Sequence, residues 1–161
     1  MISICVYTHI MKYRKKQPMN EICQNVEESC LGMRVRKAAR LLAVHYDDYL
    51  RPADLKGTQF TLLNEIYLNP SITIGQLAER LGVDRTTLNR NLNLLERKEL
   101  VMSRSGEDLR LRTLSLTPEG EKSLKIALPL WQIAQSGVEA LLGRHLHKLM
   151  GELRKLENLK R

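Results

Sequence analysis

Apolar residues recur at intervals of three and four along most of this chain, and the rhythm stops where proline, glycine or a capping residue stands. Residues 21–49 contain no proline and only Gly32 as a breaker. Val26, Cys30, Met33, Arg34, Lys37, Leu41 and Val44 repeat there at near-heptad spacing, which predicts one long first helix with mixed faces. A second helix starts at Lys56 or Thr58 and carries Phe60, Leu63 and Tyr67 as its stripe until Asn69 and Pro70 stop it. Thr73 then places a hydroxyl three residues before the amide of Gln76, a reciprocal capping arrangement. Ile74, Leu77, Ala78 and Leu81 follow, and Gly82 ends the third helix. Asp84 caps a fourth helix whose buried stripe is Leu88, Leu92 and Leu95.

After the fourth helix the period changes to that of a strand. Leu100, Val101 and Met102 lead into a polar stretch, residues 103–112, read as the tip of a β-hairpin, and Leu114 and Leu116 alternate with Thr113 and Ser115 on the return. Thr117, Pro118 and Glu119 supply an N-cap, an N1 proline and an acidic first turn for a fifth helix. Leu124, Leu128, Trp131, Val138 and Leu142 run down it, with Pro129 expected to bend it and Gly143 to break it. Leu146, Leu149, Met150, Leu153 and Leu156 make a sixth. The order of parts predicts a mainly α fold with a small β-wing: a winged helix-turn-helix lobe over about residues 54–118, flanked by helices over about 21–50 and 118–160. Neither flank can bury its stripe on so small a lobe. They are therefore expected to be N- and C-terminal dimerisation helices of a homodimer, whose two recognition helices would meet successive major grooves about 34 Å apart.

At about 100° per residue, Thr86, Asn89, Arg90, Asn93 and Arg97 point away from the leucine stripe of the fourth helix. Arg85 and Thr87 flank its first turn, and no apolar residue is expected on that face. Guanidinium, carboxamide and hydroxyl are the groups that read base edges in a major groove. An ordinary solvated face fills instead with Lys and Glu, which are absent there before Glu96. Arg85, Thr86, Thr87, Asn89, Arg90 and Asn93 are thus the candidate readers of duplex DNA. On the hairpin the candidates are Arg104, Arg110 and Arg112, since arginine on a projecting wing suits the minor groove or its phosphates.

Composition changes the picture modestly. The 161 residues suit one domain, residues 21–161, and 43% apolar content supplies a core. The formal charge of +8 favours a polyanionic partner, but Lys12, Arg14, Lys15 and Lys16 place four of those charges in the first twenty residues, where no acid stands. Residues 1–20 are expected to be a mobile basic tail, with Met11 and Met19 as alternative starts. Its apolar run precedes the basic one, which inverts the order of a secretory signal, and is too short to span a bilayer. An interfacial anchor is its rival reading.

Positions 76–81 and 84–95, Asp108-Leu109-Arg110 in the wing, and Leu116-Thr117-Pro118-Glu119-Gly120 together resemble the MarR family of bacterial and archaeal transcriptional regulators. The resemblance covers nearly everything after about residue 28, including Leu50-Arg51-Pro52, Thr58-Gln59-Phe60 and residues 127–135. It implies that Asp108 holds Arg110 in an ion pair for minor-groove contact. It also implies a small aromatic or phenolic effector, for which Arg40, His45, Tyr46, Tyr49, Phe60 and Trp131 are candidate crevice residues, with core packing as the other reading. Some members sense peroxides through a cysteine near the start of the first helix. That position aligns with Gly32, one step beyond Cys30, so Cys30 is a candidate redox thiol, against a plain buried residue. Glu99 departs from the family, which usually has glycine there. A side chain costs about 1 kcal/mol if the position is left-handed.

Other chemistry is thin. Three cysteines without an export signal imply free thiols and a cytoplasmic setting. Cys23 and Cys30 on one helix would stand about 10 Å apart, beyond the reach of a disulfide. His145 and His147 point to different sides of a helix, and His45 with Asp47 and Asp48 reads as solvent-facing, so no metal or cofactor is expected. No phosphate loop or nucleophile elbow is present, and an enzyme is not expected. The sequence thus points to a dimeric, sequence-specific regulator of transcription, with repression the expected sense. Its rival is a winged-helix protein-interaction module, an anti-regulator or assembly adaptor, that does not bind DNA.

Overall fold

The computed structural model describes residues 18–105 and 112–159. Most of the expected basic tail therefore lies outside the described residues. The elements are α1 (Met19–Ser29), α2 (Leu31–Leu50), a 3-10 turn (Arg51–Ala53), α3 (Gly57–Leu68), β1 (Ile72–Thr73), α4 (Ile74–Leu81), α5 (Arg85–Arg97), β2 (Val101–Ser105), β3 (Arg112–Leu116), α6 (Pro118–Leu142) and α7 (His145–Glu157). This is the predicted mainly helical chain with a small antiparallel sheet, and its described residues divide into two compact units between Leu42 and Ala43.

In the first unit the structure corrects one expectation. The single first helix is two, parted at Cys30, whose backbone is extended (φ −69°, ψ 98°), while Gly32 lies inside α2. The cause is local. The Ser29 hydroxyl donates to Asn25 O (2.6 Å) and Asn25 Oδ1 (3.0 Å), a side-chain bond that competes with continuation of the helix. The Cys30 carbonyl then accepts from Met33 N and Arg34 N and starts α2. No residue of α1 is buried, and Ile22, Val26, Leu31 and Leu41 are exposed.

The second unit holds the core. Leu63, Ile66, Leu77, Leu88, Leu95 and Leu114 are each at most 1% exposed. They join Phe60, Leu92, Leu124 and Ala127 in one cluster beneath a three-stranded sheet of order β1-β3-β2. β1, which the sequence reading took only as a helix cap, pairs Ile72 with Leu114 on the far edge of β3, and β2 pairs Val101 with Leu116 and Arg104 with Thr113. The start of α3 is fixed by Gly57 N–H donating to Asp47 Oδ1 (2.7 Å) and Lys56 N–H to Gln59 Oε1 (3.0 Å).

The wing leaves α5 through a left-handed Glu99 (φ 58°), so the strain expected of a non-glycine residue there is present. Leu100 N–H donates to Leu95 O (2.9 Å) and Glu99 N–H to Glu96 O (3.0 Å), the paired bonds of a Schellman ending. The base of the wing then docks on α6. Thr117 donates from its amide to Leu100 O and from its hydroxyl to Glu99 O, and the same hydroxyl oxygen accepts from Gly120 N–H (3.0 Å) to cap the helix. Gly120 is required by contact: a Cβ there would stand 1.9 Å from Leu100 O. α6 continues through Pro129 and stops at Gly143 (φ 50°). Ile126, Leu128, Ile133 and Leu141 on α6, and Leu149 and Met150 on α7, are exposed, and α7 buries no residue.

Candidate nucleic-acid interface

The helix-turn-helix is built by its caps. Thr73 Oγ1 accepts from Gln76 N–H (3.3 Å) while Gln76 Oε1 accepts from Thr73 N–H (3.0 Å), the reciprocal pair read from the sequence. α4 ends at Gly82 (φ 62°), with Val83 N–H donating to Ala78 O (3.1 Å). Asp84 Oδ1 accepts from Thr87 N–H (2.8 Å) and Oδ2 from the Thr87 hydroxyl (2.7 Å), bonds that hold the carboxyl below its ordinary value of 3.8.

With Leu88, Leu92 and Leu95 turned into the core, the opposite side of α5 carries Arg85, Thr86, Asn89, Arg90, Asn93 and Arg97, all exposed. Thr87 is exposed too, but its hydroxyl is engaged by Asp84 and its carbonyl accepts from Asn91 Nδ2 (3.0 Å). The Arg85 guanidinium lies over the start of α4: a Cβ at Gly75 would meet it at 3.3 Å. One correction applies. Leu94, 42% exposed, sits on the flank of this surface, where no apolar residue was expected.

On the wing, Arg104 is exposed. Arg112 is not a free cation. Its guanidinium donates to Glu96 Oε1 (3.1 Å) and to the Ser103 hydroxyl, so it faces α5 rather than outward. Asp108 and Arg110, the expected wing ion pair, lie outside the described residues. Glu96 and Ser103 escaped the sequence reading because a partner across 16 or 9 residues leaves no periodic trace.

The expected crevice residues fall in several places. Within the second unit, His45 Nε2 is 2.9 Å from Ala134 O and the Tyr46 hydroxyl donates to Gln135 Oε1 (2.6 Å). Burial first, and Glu139 second, raise the Tyr46 phenol above its ordinary value. The rings of His45 and Tyr49 lie 5.0 Å apart, and Phe60 stacks on Trp131 at 6.0 Å. These are packing contacts between α2, α3 and α6. Arg40 belongs to the first unit, where it lines an open groove of about 370 Å³ with Glu27, Met33, Arg34, Arg36 and Lys37. Cys30 is a half-buried free thiol and Cys23 an exposed one. Among the described residues no cluster of His, Cys, Asp or Glu is placed to hold a metal, and no helix is long and apolar enough to cross a membrane.

The family model described as MarR family matches residues 53–111. The transcriptional regulator MosR of M. tuberculosis is 37% identical, with a TM-score of 0.72 over 80% of this chain and 93% of that one. The structure of MosR in complex with DNA gives 38%, 0.69, 81% and 100%. An uncharacterized HTH-type transcriptional regulator of Bacillus cereus is 31% identical over 108 residues, 66% of this chain and 72% of the relative. A mutant MarR from E. coli complexed with operator DNA, 24% identical with a TM-score of 0.73, shares the fold.

Proposed function

Because the chain belongs to the MarR family of transcriptional regulators, we propose that it binds a pseudo-palindromic operator in duplex DNA as a homodimer and represses transcription in the cytoplasm, by binding and not by catalysis. The observation that carries this reading is the outer side of α5. Arg85, Thr86, Thr87, Asn89, Arg90 and Asn93 form an exposed surface of base-reading groups backed by three buried leucines. Arg104 extends it along the wing, and the DNA complex of the related MosR supports the same use of the fold. Asp108 and Arg110 are proposed for the wing tip.

The second copy is argued from exposed apolar residues. Ile126, Ile133 and Leu141 on one side of α6, and Leu149 and Met150 on α7, are exposed among the described residues, and exposed apolar surface of this kind marks an interface. Two inputs are proposed to control binding: a small aromatic effector, and oxidation of the Cys30 thiol. Either acts only by favouring one spacing of the two recognition helices over another.

Selection of bound duplexes from a random pool at two salt concentrations tests the reading. A palindromic consensus whose affinity falls steeply with salt supports it, and retention of every sequence alike refutes it. Arg90→Ala should cost about 1 to 3 kcal/mol on the selected duplex if it reads a base, and an equal loss on random DNA would make it a phosphate contact. Sedimentation should show a dimer, and a monomer would remove the two-fold operator.

A further inference from the structure

Arg112 bridges three elements from the far end of the β2–β3 ladder, where it pairs with Ser105. It opens β3, and its guanidinium reaches the carboxylate of Glu96 on the last turn of α5 and the hydroxyl of Ser103 on β2. Glu96 is the shielded partner, with a side chain 27% exposed against 47% for Arg112. Three residues beyond Glu96 the chain turns through the left-handed Glu99 and becomes the wing, so the bridge spans the bend at which the wing could swing against the helix. A guanidinium already paired with a carboxylate presents little net charge to a phosphate. The same end of α5 has a second tether that does not touch the wing: Lys98 Nζ donates to Asp54 O (2.7 Å) and Asp54 Oδ2 (2.8 Å).

We propose that Arg112 is a positioning residue, acting through Glu96 to fix the angle between α5 and the wing so that Arg104 and the base-reading side of α5 meet adjacent grooves without rearrangement. This deepens the DNA-binding reading and rests on it. A wing held at one angle in the free protein has less freedom to lose on binding. The pair is partly exposed, so its removal leaves the fold intact and the test readable.

The test compares Arg112→Gln, Glu96→Gln and the double variant in the full chain, with Lys98→Met as a control tether. Without DNA, amide hydrogen exchange across the β2–β3 ladder should quicken alike in both single variants, no further in the double variant, and not in Lys98→Met. On the duplex selected by the wild-type chain, both single variants should lose hydroxyl-radical protection in the minor groove beside the recognition site. Their affinity should fall about two- to fivefold, as loss of one such pair implies, with the slope of affinity against salt unchanged. Unaltered exchange would overturn the proposal. So would tighter binding by Glu96→Gln together with a salt slope reduced by about 0.9 in Arg112→Gln, the signature of a released phosphate contact. If the wild-type chain selects no duplex, the DNA-binding reading falls, and the exchange measurement alone still decides whether the bridge holds the wing.

Discussion

The two helices of the helix-turn-helix end on the same pair of backbone bonds but on different residues. α4 closes with Gly82 N–H to Glu79 O and Val83 N–H to Ala78 O, and α5 closes with Glu99 N–H to Glu96 O and Leu100 N–H to Leu95 O. The dihedrals match as well, φ 62° at Gly82 and φ 58° at Glu99. Glycine meets this geometry without strain, whereas glutamate carries its Cβ into a region that L-residues avoid. The difference lies in what surrounds the turn. A Cβ at Gly82 would find nothing within 4 Å, so a side chain there would meet open space. Around Glu99 the chain is held from several sides: Thr117 donates to Glu99 O and Leu100 O, Arg112 reaches Glu96, and Lys98 reaches Asp54. A strained residue persists where its surroundings over-determine it.

Three substitutions probe that contrast, and a fourth probes how the same helices begin. The largest effect is expected at Gly120, where the docking that holds Glu99 leaves no room for a side chain. Gly120→Ala puts a Cβ 1.9 Å from Leu100 O, and forcing the two backbones apart should cost about 3 kcal/mol or more, a fall of roughly 10 °C in melting temperature. A melting temperature within a degree of wild type would mean that α6 and the wing base are not locked. Gly82→Ala meets only the backbone term, about 1 kcal/mol and roughly 3 °C, and a larger loss in urea unfolding would reveal a contact made by the turn. Glu99→Gly should act in the opposite direction. Relief of strain, less the freedom glycine gains in the unfolded chain, leaves a gain of about 0.5 kcal/mol. Destabilisation on calorimetry would instead make the Glu99 side chain a contributor.

The smallest effect concerns the beginnings of the same two helices. Thr73 caps α4 with a neutral group, and Asp84 caps α5 with a carboxylate held below its ordinary value by Thr87. That contribution is complete above the ordinary value of 3.8 and is lost as pH falls through the lowered one. Asp84→Asn, which caps without titrating, should flatten melting temperature against pH in the acid range, and identical acid profiles would remove Asp84 from the account.

What could be read from the sequence was whatever is fixed within four or five residues. The reciprocal caps at Thr73 and Gln76, the Asp84 cap, the glycine endings and the leucine stripe of α5 are local patterns, and the structure has each of them. The two-residue β1 was missed because its partner Leu114 lies more than forty positions away. The break at Cys30 depends on a hydroxyl of Ser29 that suits a helix interior or its end equally well. Alternation along a strand gives Arg112 a face but not a partner, so the sequence groups it with the outward arginines. The exposed Leu94 belongs to the helix flank, where a periodic reading divides apolar from polar positions least sharply.

The central place of β3 has a consequence for how the lobe would sit on a duplex. One edge of that strand carries Ile72 and Thr73, the residues that open the helix-turn-helix, and the other carries the arm that descends from Glu99. Torque applied at the hairpin thus reaches both ends of the helix-turn-helix through one shared ribbon. The lobe would then measure the phase between two grooves like a rigid gauge, rejecting a site lengthened by a single base pair instead of stretching to fit it.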